Sequence, residues 1–185
     1  MTKFILHGGF PKEVKKFDNA LFEALQNDVP DKGIVLLVYF AKPAEFYLEL
    51  YNEHLPYLKI ASHGRELNYL LADEQKFMEQ IKQADSLYLA GGDSLLLLEK
   101  IKHYPEFADS IRGKTVLGSS AGANILGKYF YSVYAKHVLK GLGVLAVVIR
   151  PHDNREQKIY DELKSKCQDC QLIALKEFEM KILEV

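Results

Sequence analysis

The sequence predicts an α/β protein built as a three-layer, doubly wound, mainly parallel sheet with helices on both faces. Three observations carry that prediction. Strand-like and helix-like patterns alternate along most of the chain. Strand-like runs such as "GIVLLVYF" are continuously apolar, the mark of strands buried on both faces. Three small-residue turns, "HGGF", "AGGDS" and "GSSAG", each fall where a predicted strand stops. Right-handed crossovers bring the C-terminal ends of parallel strands to one edge, so the three turns are expected to meet there, where ligands bind in such sheets.

Each element follows from its residues. "KFILHGG" reads as a short strand ending in glycines. "PKEVKKFDNALFEALQN" has Val14, Phe17, Leu21, Phe22 and Leu25 at helical spacing, with Pro11 suited to the first turn. "GIVLLVYF" is the next strand. "AEFYLELYNEHLPYL" reads as a helix stopped near Pro56, since proline lacks a backbone donor. "YLKIAS" after it reads as a strand. "DEQKFMEQIKQ" is a helix with acids at its start, which suits the helix dipole. "DSLYLAGGDS" is a strand entering a glycine loop, and "SLLLLEKIKHY" and "PEFADSI" are helices. "KTVLG" is the strand that leads into the serine turn and a further helix. From "KYFYSVYAKHVLKGLGVLAVVIRPH" onward the pattern changes to strand-like runs punctuated by Gly141 and Gly143. "DNREQKIYDELKSK" is a helix. "QLIALKEFEMKILEV" reads as two strands with a tight link near Lys176 and Glu177. The length fits a single domain over residues 1–185.

Composition narrows the function classes. The 24 Lys+Arg against 25 Asp+Glu leave a net charge of -1, which gives no electrostatic footprint for nucleic acid or an anionic membrane. No apolar run approaches the roughly 18 residues of a membrane span. The apolar run in "MTKFILHGGF" is too short for a signal-peptide core, so a cytoplasmic location is expected. Cys167 and Cys170, in "CQDC", are the only cysteines and are expected to be reduced thiols near a helix end. Metal-ligand spacing is absent, and neither a metal nor an organic cofactor is implied.

Gly118-Ser119-Ser120-Ala121-Gly122 fits G-x-S-x-G with a strand before it and a helix after it. Small flanking residues allow a sharp turn that lifts the Ser120 hydroxyl above the sheet edge. The Ala121 N–H then sits at a helix start, where free amides can hold an oxyanion. A second donor is expected from "AGGDS", with Gly91 or Gly92 as candidates. A serine hydroxyl needs a base to take its proton. Of six histidines, His54 and His103 lie on amphipathic helices and read as solvated, and His63 lies in a polar loop. His7 reads as a satisfied polar residue under a glycine turn, and His137 has no clear place. His152 is the candidate base, because "VLAVVIRP" delivers it to a strand end on the Ser120 edge.

Together "ADSLYLAGGDSLLLLEKI", "GKTVLGSSAGANILG", "GLGVLAVVIRPHDNREQKIYDEL" and "IALKEFEMKILEV" resemble peptidase family S51, the serine peptidases related to dipeptidase E and cyanophycinase. The resemblance implies a class I glutamine amidotransferase-like fold, within the flavodoxin-like architecture. It implies that Ser120 is the nucleophile, His152 the base, and Gly92 and Ala121 the oxyanion hole. In the dipeptidase branch an arginine beyond the histidine grips the side chain of an N-terminal aspartate, and Arg155 is the matching position. A guanidinium suits that task because it binds a carboxylate through two parallel hydrogen bonds. Asp93 stands where the family usually has asparagine, either to meet a substrate amine or to cap the next helix. Asn124 completes the substrate-binding candidates.

The family places an acid between nucleophile and histidine, and this chain has no Asp or Glu from Ala121 to Pro151. Ser132 and Tyr134 are the polar residues nearest that place, and Glu177 is the candidate from another strand end. The reading is therefore a serine hydrolase of small peptides, with Asp-X dipeptides among the expected substrates and a homodimer left open. A non-catalytic relative that keeps the pocket to bind a small ligand or partner is the alternative. An unrelated α/β-hydrolase with "HGGF" at its oxyanion hole ranks below both, as does an amidotransferase subunit, which would carry cysteine at position 120.

Overall fold

Ten strands among the described residues divide between two sheets. The computed structural model describes residues 1–11 and 19–185. In chain order the elements are β1 (Lys3–His7), α1 (Asn19–Gln26), β2 (Ile34–Val38), α2 (Tyr47–Ala61), β3 (Asn68–Leu71), α3 (Phe77–Gln83), β4 (Ser86–Leu89), α4 (Ser94–Lys102), α5 (Phe107–Ser110), β5 (Thr115–Ser119), α6 (Ala121–Leu126), β6 (Tyr129–Ser132), β7 (His137–Lys140), β8 (Val147–Arg150), α7 (Gln157–Lys166), β9 (Gln171–Ala174) and β10 (Met180–Glu184).

The larger sheet has the order β10-β1-β5-β4-β2-β3 and is parallel except for β10, which runs antiparallel to β1 at one edge. Its register aligns Phe4, Val116, Leu87, Leu36 and Leu70 in one row across the sheet. The first four of these are buried. A fully buried side chain of this kind contributes about 1.5–3 kcal/mol, so the apolar runs that announced the strands also hold the sheet together. The smaller sheet, β7-β6-β8-β9, is parallel but for β7. The change of pattern after the serine turn thus marks a second sheet rather than an extension of the first. Every residue of α6 is buried, because this helix packs on β4 and β5 on one side and on β6 and β8 on the other.

Several expectations are corrected. The helix does not stop at Pro56; α2 runs through it to Ala61, and the following strand is β3, not residues 57–62. His54, Leu58 and Ala61 continue one buried stripe past the proline. Pro56 itself is exposed, so the carbonyl it leaves without a helical partner is on the solvent side. His54 is buried, not solvated. Its Nδ1 lies 2.9 Å from the Tyr39 hydroxyl, and burial lowers its pKa to about 4. Cys167 and Cys170 are joined in a disulfide just beyond α7, not reduced. Leu21, Phe22 and Leu25 are buried on α1 as expected, whereas Val14 and Phe17 lie outside the described residues. No described helix is long and apolar enough to cross a membrane.

Candidate active site

The order β1-β5-β4 sets the three small-residue turns side by side. His7 pairs with Ser119 across β1 and β5, and Leu89 with Gly118 across β4 and β5. Ser120 leaves β5 with φ 49° and ψ -101°. A left-handed serine costs on the order of 1–3 kcal/mol and persists only where its surroundings enforce it. Here the Ser120 N–H donates to the His7 carbonyl at 3.0 Å, and the Asn124 N–H donates to the Ser120 carbonyl at 2.9 Å. The flanking glycines permit the close crossing of α6 over β4: a Cβ on Gly122 would lie 2.1 Å from the Leu89 carbonyl oxygen.

His152 comes from the end of β8, in the other sheet. Its Nε2 lies 3.0 Å from Ser120 Oγ, and its Nδ1 lies 3.1 Å from Glu177 Oε1. A carboxylate only accepts, so Nδ1 carries the proton and Nε2 offers its lone pair to the serine hydroxyl. The side chains of His152 and Glu177 are 37% and 43% exposed, so the pair opens to solvent.

The sequence "HGGF" explains how Glu177 reaches the imidazole. The link from β9 to β10 crosses the end of β1, where the Gly8 N–H donates to the Glu179 carbonyl at 2.9 Å and the Phe178 N–H to the Gly9 carbonyl at 3.0 Å. A Cβ on Gly8 would fall 1.8 Å from the Lys176 carbonyl oxygen, and one on Gly9 would fall 2.4 Å from His152 Nε2. The His152 N–H in turn donates to the Gly8 carbonyl at 3.0 Å. Below the glycines, His7 is buried with its Nδ1 accepting the Gly9 N–H at 3.2 Å and facing Ser119 Oγ at 3.1 Å. Burial raises the pKa of the Tyr88 hydroxyl, which bonds the same Ser119.

Sequence reasoning missed the set that holds the His152 turn. Arg150 and Asp153 are a buried ion pair, Nε to Oδ1 3.4 Å, with each side chain 6% exposed. Arg150 Nη2 donates to Asn154 Oδ1 at 2.8 Å, and its guanidinium carbon lies 5.5 Å from the centre of the Tyr131 ring. The Tyr160 hydroxyl donates to Asp153 Oδ2 at 2.6 Å; burial, then that bond, raises its pKa. The Asp153 N–H donates to the Leu175 carbonyl at 2.9 Å, which ties the turn to the end of β9. The signal was present as the spacing of Arg150, Asp153 and Tyr160 around a strand-to-helix turn, but only the fold shows that they converge.

The other predicted positions divide. Gly91 borders Ser120, since its Cβ would lie 3.4 Å from that of Ser120, and Gly92, at φ 151°, packs against the Ala41 carbonyl. Ala121 opens α6 directly after the serine. Asp93 caps α4, accepting the Leu95 and Leu96 N–H groups at 2.8 and 3.4 Å. Asn124 is buried and ties α6 to α4 through Ser94 Oγ at 3.0 Å. Arg155 is exposed, and its backbone N–H donates to Asp153 Oδ1 at 3.1 Å; no described contact joins its guanidinium to Ser120 or His152. Ser132 is buried in the β6–β7 turn, where it accepts the Ala135 N–H, and Tyr134 is 70% exposed; neither meets His152 among the described contacts. No group of His, Cys, Asp or Glu among the described residues could hold a metal ion. A cavity of about 530 Å³ lies at the opposite end of β1, lined by Thr2, Phe4, Ile111 and Val144 among others, away from this site.

Comparison with known proteins bears on the family and the fold. The model of peptidase family S51 matches residues 7–182. No curated protein matches the chain. Among solved structures, a peptidase from an acI-B1 actinobacterium is similar with a TM-score of 0.64 and 22% identity, covering 99% of this chain and 83% of that one. A peptidase E-like protein from Listeria monocytogenes EGD-e is similar with a TM-score of 0.62 and 18% identity, covering 100% and 99%. At such identities the likeness speaks for the fold.

Proposed function

The chain belongs to peptidase family S51, a family of serine peptidases, and from that premise we propose that it hydrolyses small peptides through an acyl-enzyme on Ser120. The observation that carries this reading is the relay of 3.0 and 3.1 Å from Ser120 Oγ through His152 to Glu177.

In this reading Ser120 Oγ attacks the scissile carbonyl carbon while its proton passes to His152 Nε2. Glu177 offsets the imidazolium charge at Nδ1. The amides of Gly92 and Ala121 hold the oxyanion; loss of one such donor lowers turnover about 10²–10³-fold. Collapse breaks the C–N bond, and the departing amine takes the proton from Nε2. Water then attacks the ester, gives its proton to His152, and the serine leaves with that proton restored.

The non-catalytic reading drew its force from the missing acid between nucleophile and histidine. The Glu177 carboxylate, 3.1 Å from Nδ1, supports the catalytic reading over it. A fluorophosphonate probe tests the proposal: labelling should require both Ser120 and His152, and a native protein that resists labelling overturns it. A dipeptide panel of Asp-X against neutral peptides reads the acyl-side preference. Asp-X cleavage lost in Arg155→Ala would assign that guanidinium to the substrate, and cleavage of neutral peptides alone would remove it.

A further inference from the structure

We propose that Phe178, backed by Phe10, forms an apolar wall on the leaving-group side of the site and selects peptides whose residue after the scissile bond is apolar or aromatic. The inference rests on the assignment of Ser120 and His152 as the acyl-transfer pair.

Topology fixes the sides. β5, which carries Ser120, lies between β1 and β4. The turn with Gly91 and Gly92 flanks the serine from the β4 side. The Gly9–Phe10 turn and the link bearing Glu177 flank it from the β1 side. His152 Nε2 must hand its proton to the departing amine, and the imidazole meets the glycine turn of β1, with a Cβ on Gly9 falling 2.4 Å from Nε2 and 3.1 Å from Ser120 Cβ. The departing half of the substrate therefore lies toward Phe10 and Phe178.

Phe178 directly follows Glu177, and its N–H is bonded to the Gly9 carbonyl at 3.0 Å. Its ring meets the Phe10 ring edge-on at 5.6 Å, and Phe10 lies 4.7 Å from the buried His7 ring. The row runs from beneath the nucleophile out to solvent, where Phe178 is 42% exposed. Phe178 also has φ 65°, a conformation that a bulky residue rarely adopts. Burial of its own ring does not account for that strain. A half-exposed aromatic that follows Glu177 directly and packs on Phe10 gains most when an apolar side chain covers it. Glu177 alongside disfavours an acidic residue at the same place.

The test uses the full chain and a peptide series that holds constant an N-terminal residue the enzyme accepts. The residue after the scissile bond is varied through Leu, Phe, Gly and Asp. Leu and Phe peptides should show kcat/KM about 10–100-fold above the Gly peptide, the range one apolar pocket contact gives. Phe178→Asn, which tolerates a left-handed backbone, should bring the Leu-to-Gly ratio to within about twofold of one, and Phe178→Leu should keep it near the native value. A displaced imidazole would slow all peptides alike and leave the ratio standing, so an unchanged ratio in Phe178→Asn overturns the proposal. So does a native ratio near one. If the serine is not labelled and no peptide is cleaved, the hydrolase reading falls and this one with it; labelling and cleavage without the preference overturn this one alone.

Discussion

The two sheets hold the two halves of the relay by different means. Ser120 springs from the larger sheet, where a row of apolar side chains is buried across four strands and the turn is fixed by backbone hydrogen bonds. His152 springs from the smaller sheet, whose own separate cluster is built on Val138, Val148, Ile159 and Leu163. Its turn is set by polar side chains, Arg150, Asp153 and Tyr160, and its imidazole is 37% exposed. Apolar burial stabilises the Ser120 turn over a wide area, whereas a few directional bonds decide where the imidazole stands. Perturbation of the smaller sheet should therefore remove activity before it unfolds the larger one.

Four substitutions or conditions sharpen or break that contrast, from the largest effect down. Ser120→Ala should lower peptide hydrolysis by about 10⁴-fold or more while thermal unfolding stays near native; turnover within about tenfold of native would move the nucleophile elsewhere. Glu177→Gln keeps the shape of the relay but removes its charge, and kcat should fall about 10²–10⁴-fold. A smaller loss would mean that solvent already screens the exposed imidazolium. Asp153→Ala leaves Arg150 buried without its carboxylate, which destabilises by about 3–5 kcal/mol. Hydrogen exchange should quicken in β8 and β9 while β1, β4 and β5 keep their protection; uniform quickening would show that the sheets melt as one.

The last prediction finds a weak point on α2, beside the larger sheet. Burial lowers the folded pKa of His54 from 6.5 to about 4. The unfolded chain therefore takes up the proton first, so stability falls as pH drops through that window and levels off below it, by roughly 3 kcal/mol in total. Urea midpoints between pH 7 and pH 4 measure the slope. His54→Leu should flatten it, and an unchanged slope would assign the acid sensitivity to other groups.

Much of the site was legible in the sequence because its parts are local. A strand, five small residues and a helix specify the Ser120 turn, and a buried run ending in Arg150-Pro151-His152 delivers the imidazole to the same edge. Glu177 was legible only as a candidate, since its role depends on a link that crosses β1. Three features escaped because tertiary burial overrode local preference. Pro56 stayed in a helix whose buried stripe continued past it, His54 was drawn into the core by Tyr39, and Arg150 found its partners on a following turn. The division into two sheets was visible as a change of pattern after α6 but not as a separate layer, because α6 buries every residue between them.

The antiparallel pairing of β10 with β1 has a consequence for how the enzyme comes into being. Glu177 is locked over Gly8 only once the first strand and the tenth have met, a contact between segments far apart in sequence. Such pairings form late, since distant ends must close a long loop. The carboxylate of the relay is therefore in place only where that distant pairing is in place, whatever the state of the serine turn.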